Sequence, residues 1–294
     1  MSGRGDWQRR DVRRADGRRR RGRLRLVGVV VVLAAVVIAA AAALEHRRDA
    51  AADATPTVTV APPIRLTFPE GLRREDMARL LAEKTNLSGQ EYLDLTGPGP
   101  KGAERAGTAR AASLEGFLFP ATYEIGTETT VSYLIDQQLA AFDGKFGNVR
   151  MTFAKSRNLT PYDVLIIASM VEREVVDPAE RPLVAGVIYN RLKRKMRLDI
   201  DATVQYAVGE WRELTAKDLA SDSPYNTRKF AGLPPGPIAN PGLASIEAAA
   251  RPKQSAFLYY VAREDGTNRH YFATTIDAFE TLKSRARANA AARP

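Results

Sequence analysis

Apolar residues at Val131, Leu134, Ile135, Phe142 and Phe146 recur at helical spacing and predict an amphipathic helix over residues 130–147. The run 164–170 is apolar nearly all round, so the helix carrying it should be central to its domain. Thr160-Pro161-Tyr162-Asp163 starts that helix, with Thr160 as cap, Pro161 in the first turn and Asp163 in the capping-box position. Asp177-Pro178-Ala179-Glu180 repeats the start signal for a second helix near Pro178, which turns Leu183, Val184, Val187, Ile188 and Leu192 inward. Upstream, residues 64–68 alternate apolar and polar like a strand, and Pro69-Glu70-Gly71 turns the chain into a helix with Met77, Leu80 and Leu81 on one face. Ser88 caps a further short helix, with Glu91 three residues on. Downstream, Asn240-Pro241-Gly242 caps a helix running to Ala250. Residues 257–262 and His270-Tyr271-Phe272 read as a hairpin turning at Gly266, and a last helix starts at Thr275. Helices mixed with short strands predict an α+β fold.

The segment 26–44 breaks this periodicity with 19 uncharged residues. A helix of that length spans about 28 Å, enough to cross the hydrocarbon core of a bilayer. Arginines crowd before it, so the expected orientation is N-terminus cytoplasmic with everything after Glu45 facing outward at the plasma membrane. A cleaved signal peptide shares the Arg-rich start and the apolar run and is the competing reading. The remaining organisation follows from composition. Residues 1–25 are a basic tail, 45–63 a Pro/Thr/Ala-rich stalk, 64–96 a small strand-helix-helix unit and 97–112 a Gly/Pro/Lys/Arg-rich connection. Residues 113–283 form the main domain and 284–294 a C-terminal tail.

The formal net charge of +10 changes meaning once it is located. Eleven arginines and three aspartates in residues 1–25 supply +8 of it, leaving the rest of the chain nearly neutral. A nucleic-acid partner is therefore not expected, since such a fold carries its basic residues on a folded surface. The absence of cysteine excludes disulfides, a thiol nucleophile and thiolate metal sites. With only His46 and His270 present, a multi-histidine zinc site is excluded too. A Ser-His-Asp triad would have to recruit one of these, and no Gly-x-Ser-x-Gly elbow is present. Neither a metal nor a cofactor is called for.

What remains is a carboxylate. Glu172 and Glu174 end the apolar helix, and two positions on a helix differ by about 200° in direction, so both cannot face one cleft. One is a candidate general acid, because desolvation favours the neutral carboxyl; the other pairs with Arg173 or Arg181 or lies at the surface. Helical geometry alone leaves the choice between them open. The loop 232–238, with three prolines, cannot be regular structure; it suits a rigid cleft wall, and composition alone allows an ordinary surface turn equally well.

Several ordered motifs carry a resemblance. Ala168-Ser169-Met170-Val171-Glu172-Arg173-Glu174, Asn190-Arg191-Leu192 with Met196-Arg197-Leu198, and Asp201-Ala202-Thr203-Val204-Gln205-Tyr206 resemble the catalytic domain of the MltG/YceG-like endolytic murein transglycosylases. Leu114-Glu115-Gly116-Phe117-Leu118-Phe119-Pro120 with Thr122-Tyr123, Ser223-Pro224-Tyr225-Asn226-Thr227, and the loop 232–238 followed by Asn240-Pro241-Gly242 match in the same order, over residues 64–282. The resemblance implies that Glu174, the second glutamate of its motif, is the catalytic acid. It also implies cleavage of the MurNAc-GlcNAc β-1,4 bond within peptidoglycan strands, leaving 1,6-anhydro-MurNAc ends and terminating nascent strands. Asp201, Gln205, Tyr225 and Asn226 become candidate substrate-binding residues along the glycan cleft. The 64–96 unit resembles a LysM-like module, and cell-wall synthases become candidate partners beside the glycan and the membrane. Two departures stand out: Ala202 replaces a proline usual in the family, a change expected to loosen a turn, and a further LysM-like segment common in the family is not recognised here. A hydrolytic glycosidase using Asp201 or Glu172 as second carboxylate, and a non-catalytic glycan-binding scaffold of the wall-synthesis machinery, are the alternatives.

Overall fold

A computed structural model describes residues 32–48, 62–99, 104 and 112–293. The basic tail, residues 26–31 of the apolar run, most of the stalk and most of the 97–112 connection lie outside the described residues. The chain divides into two compact units, residues 1–60 and 61–294. In the first, residues 32–48 form helix α1, whose apolar side chains Val32, Leu33, Val36, Val37 and Ile38 are exposed. Among the described residues no helix is long and apolar enough to cross a membrane.

The second unit is α+β. It starts with β1 (Ile64–Thr67), α2 (Arg74–Lys84) and α3 (Gly89–Thr96), then β2 (Thr122–Ile125), α4 (Val131–Phe146) and α5 (Thr152–Lys155). The long apolar helix α6 (Pro161–Glu174) follows, then a 3₁₀ turn (Pro178–Glu180), α7 (Arg181–Lys193), α8 (Asp201–Val208) and α9 (Ala216–Leu219). The chain closes with α10 (Leu243–Ala250), β3 (Tyr259–Ala262), β4 (His270–Ala273) and α11 (Ile276–Ala291). Both sheets are two-stranded and antiparallel: β1 with β2, pairing Leu66 with Tyr123, and β3 with β4, pairing Tyr260 with Phe272.

Helix α6 is the axis of the larger core. Thr160 Oγ1 accepts the Asp163 N–H at 3.1 Å while Asp163 Oδ2 accepts the Thr160 N–H at 2.9 Å, the reciprocal cap the sequence predicts. Its residues 162–171 are all buried, and α7 and α10 flank it, so only Pro161 at its start and its last turn are left to face solvent. A second core joins Leu66, Phe68, Met77, Leu81 and Tyr92 to Leu114, Leu118, Leu134 and Ile135. The small unit expected at 64–96 thus shares its interior with residues on the far side of the 97–112 connection, through β2 and α4.

The two cores meet at Asn240. Its side-chain oxygen accepts the N–H groups of Gly116 (2.9 Å) and Leu118 (3.0 Å), and its amide donates to Glu115 Oε1 (2.8 Å) and Leu72 O (3.0 Å). The sequence places Asn240-Pro241-Gly242 as a helix cap; in the structure Gly242 is the cap residue, and Asn240 is a fully buried tie between three loops. Beside it Gly116 has φ +87°, and a Cβ there would stand 2.6 Å from Pro237 Cγ, so only glycine fits. The proline-rich loop is fixed to α6 by the Ile238 N–H, donated to Ser169 Oγ at 3.0 Å.

Candidate active site

Glu174 is the last residue of α6, where the helix leaves the core and Val175 turns extended. The side chain emerges half-buried against the β3–β4 hairpin and the start of α8. Tyr260 of β3 donates its hydroxyl to Glu174 Oε2 at 2.8 Å, and the Ala202 N–H in the first turn of α8 favours the charged carboxylate. Burial pushes the Glu174 carboxyl above the usual carboxylate range. The Tyr260 hydrogen bond opposes that shift, the negative charge of Asp201 adds to it, and His270 and the Ala202 N–H again oppose it. The net upward direction keeps the acid protonated further toward neutral pH, the state a proton donor needs. Tyr260 is itself pushed far up, first by burial and then by the Glu174 charge, so its hydroxyl keeps the proton it donates.

The hairpin that delivers Tyr260 is anchored to the opposite side of the site. His270 of β4 donates its backbone N–H to both Glu180 oxygens at 3.1 Å, and its Nδ1 lies 2.7 Å from Glu180 Oε2. The His270 ring meets Tyr260 edge-on, with centroids 5.4 Å apart. Position of the tyrosine, and through it of Glu174 Oε2, therefore rests on a buried Glu180–His270 pair.

Glu172 points elsewhere, as the helical rotation requires. Its side chain is 6% exposed, pairs with Arg181 Nη2 at 3.1 Å, and accepts the N–H of Gly242 at 3.0 Å, which caps α10. It joins α6, α7 and α10. Arg173, between the two glutamates, donates to Gly71 O at 3.2 Å and lies over the Trp211 ring at 3.8 Å.

The other expected site residues separate. Asp201, first residue of α8, stands beside Glu174, its exposed carboxylate paired with Arg228. Gln205 donates to Arg212 O at 2.7 Å and closes the turn after α8. Tyr225 packs on Tyr206 with ring centroids 4.9 Å apart, its hydroxyl against Gly236 of the proline-rich loop. Asn226 corrects its expected cleft-lining role: it is wholly buried, and its amide donates to Leu219 O (3.0 Å) and Ser221 O (2.8 Å), holding the loop after α9. Ala202 keeps a backbone N–H that a proline would lack, and that N–H favours the charged Glu174 carboxylate.

Tyr260, His270, Glu180 and Arg228 were not among the expected site residues. Arg228 follows the Ser-Pro-Tyr-Asn-Thr run by one residue, which is a faint signal. Tyr260 lies 86 residues from Glu174, and no local pattern in its strand marks it. Among the described residues, no three His, Asp or Glu side chains gather in a metal-binding arrangement.

Comparison with known proteins supplies the context for this geometry. Residues 40–285 match the model of the YceG-like family. An endolytic murein transglycosylase of Bacillus subtilis (strain 168) is 41% identical over 154 residues, covering 52% of this chain and 43% of that protein. One from Streptococcus pneumoniae serotype 2 is 45% identical over 155 residues, covering 51% of this chain and 28% of that protein. The chain thus aligns with less than half the length of these curated relatives. A crystal structure of a YceG-like protein from Listeria monocytogenes superposes with a TM-score of 0.68 at 34% identity, covering 76% of each chain.

Proposed function

The chain belongs to the YceG-like family, and from that premise we propose that it is a membrane-anchored endolytic murein transglycosylase with Glu174 as its acid and base. The observation that carries this reading is the Glu174 carboxyl, raised by burial, with one oxygen held by Tyr260 at 2.8 Å. Protonated Glu174 gives its proton to the glycosidic oxygen as the bond from that oxygen to C1 of MurNAc breaks. The resulting carboxylate then takes the proton of the MurNAc C6 hydroxyl as that oxygen bonds C1. The products are a 1,6-anhydro-MurNAc end and a free GlcNAc 4-hydroxyl, and no water is consumed. One carboxyl serves both steps, since each needs only a pKa near working pH. A hydrolase would instead place a second carboxylate beside the first to activate water or attack C1.

Asp201 is the observation that favours a hydrolytic alternative, since it stands beside Glu174 and shifts it electrostatically. Its pairing with Arg228 argues for a charge-balancing role instead. Asp201 and Tyr225 remain the candidates for contact with glycan. Residues 32–44 of α1, apolar and exposed, continue the uncharged run that begins at residue 26, and a segment apolar all round suits a bilayer; it is read as the single-pass anchor, with the domain outside. The segment 64–96 is read as a LysM-like glycan contact, and wall synthases as partners.

Digestion of peptidoglycan by the full chain in detergent, with mass spectrometry of the new ends, tests the reaction. Anhydro ends are expected. Reducing ends would select the hydrolase, and no new ends would remove the enzymatic reading.

A further inference from the structure

We propose that a second pocket, remote from Glu174, binds a carboxylate-bearing peptide. The pocket holds about 770 Å³ and lies between the 153–159 segment, α7 and residues 252–255. That volume is in the range of small-molecule and short-peptide sites. Asp163 of its lining sits at the start of α6, eleven residues before Glu174, so the two sites are separated by about 16 Å along one helix.

The charge of the pocket is one-sided. Arg157, Lys193 and Lys253 line it, all exposed, and none is paired with a carboxylate among the described residues. Arg157 is held in place over the Phe153 ring at 5.1 Å. The acidic residue in the lining, Asp163, is buried and its Oδ2 accepts from Thr160 in the helix cap. Phe153, Tyr189 and Leu233 supply apolar surface, and the Tyr189 hydroxyl is fixed by donation to Ala249 O at 2.8 Å.

The walls are built rather than incidental. The Lys253 N–H bonds Pro182 O at 2.8 Å, and the Asn190 amide donates to both Ser255 O and Phe257 O at 2.9 Å. At Gly186 a Cβ would stand 2.4 Å from Lys253 O, so the close approach of α7 to this segment needs a glycine. The Asn190-Arg191-Leu192 motif, unused by the chemistry at Glu174, thus shapes this pocket. A bare ion would leave most of the volume empty and the apolar wall uncovered. A short peptide with acidic groups satisfies both the cations and the wall. That its source is a peptide carried on the wall glycan rests on the proposed function; the preference of the pocket for an acidic peptide does not.

Isothermal titration of the full chain with N-acetyl-Ala-Glu-Ala-Ala, its neutral counterpart N-acetyl-Ala-Gln-Ala-Ala-amide, and inorganic phosphate tests the proposal. The acidic peptide is expected to bind at least about tenfold more tightly than the neutral one, and the paired change Lys193→Glu, Lys253→Glu to weaken it by about tenfold or more. Both lysines are exposed, so the variant should melt like the unmodified chain. Glu174→Gln should bind the acidic peptide unchanged, which separates this site from the fate of the catalytic reading. Equal binding of both peptides, indifference to the charge reversal, or displacement by phosphate at equal concentration would each overturn it.

Discussion

At the scale of single residues, the site is a contest over one proton. Burial and the Asp201 charge raise the Glu174 carboxyl, while Tyr260, His270 and the Ala202 N–H pull it back. In the proposed reaction protonated Glu174 is the donor, so the alkaline limb of kcat/KM should follow its pKa. Removing the Asp201 charge with Asp201→Asn lowers that pKa, so the limb should move to lower pH. Tyr260→Phe removes a bond that favours the carboxylate, so the limb should move to higher pH, with a fall in kcat of about tenfold to a hundredfold from lost positioning. Ala202→Pro tests the family departure directly. Proline in a first helical turn forfeits no intrahelical bond, so the fold should persist while the limb again moves up. A pH–rate series on the three variants, showing shifts in one direction only, would contradict this account of the site. These opposed effects were not legible in the sequence. It could place Glu174 at the end of an apolar helix, but Tyr260 reaches it from a strand 86 residues away, and the value of the Ala202 N–H appears only when α8 is seen to begin at that carboxyl.

At the scale of elements, what local chemistry controls was readable. The reciprocal cap of Thr160 and Asp163, the Ser88 and Thr275 caps, and the apolar faces of α4, α6 and α7 form as their residues dictate. What depends on distant partners was not. Strand β2 exists because four residues, Thr122–Ile125, pair with β1 from across the 97–112 connection, and α8 is a single short stretch that its Asp-Ala-Thr-Val start did not announce. Asn240 illustrates the same point: its local sequence reads as a cap, yet its side chain serves loops more than a hundred residues away. Asn240→Ala would orphan two backbone N–H groups and the Glu115 carboxyl in a buried region. The expected cost is about 3 kcal/mol of unfolding free energy, measured by urea denaturation. A loss near the background of about 0.5 kcal/mol would mean the three loops hold each other without it.

At the scale of the whole molecule, the wall between the two cores carries its own pH dependence. Glu115 is buried beside Asn240 and Arg74, and burial first, then the Glu75 charge, push its carboxyl up to about 8. The folded state then keeps a proton that the unfolded chain releases near its ordinary value of 4.5. Stability is therefore fully present below that value and is lost as pH rises toward about 8, with a slope approaching 1.4 kcal/mol per pH unit for one proton. Thermal melts of the unmodified chain and Glu115→Gln between pH 5 and pH 8 should show a steeper decline in the former. Parallel declines would remove Glu115 as the cause. Family membership fixes the fold at this scale, while the proposed reaction rests on one side chain. The most direct measurement is therefore the count of anhydro ends released from peptidoglycan by the full chain and by Glu174→Gln, both verified as folded by their melts. The account predicts a loss of at least about a hundredfold in the variant, the scale of positioned acid–base catalysis. Anhydro ends formed at the unmodified rate by Glu174→Gln would contradict it.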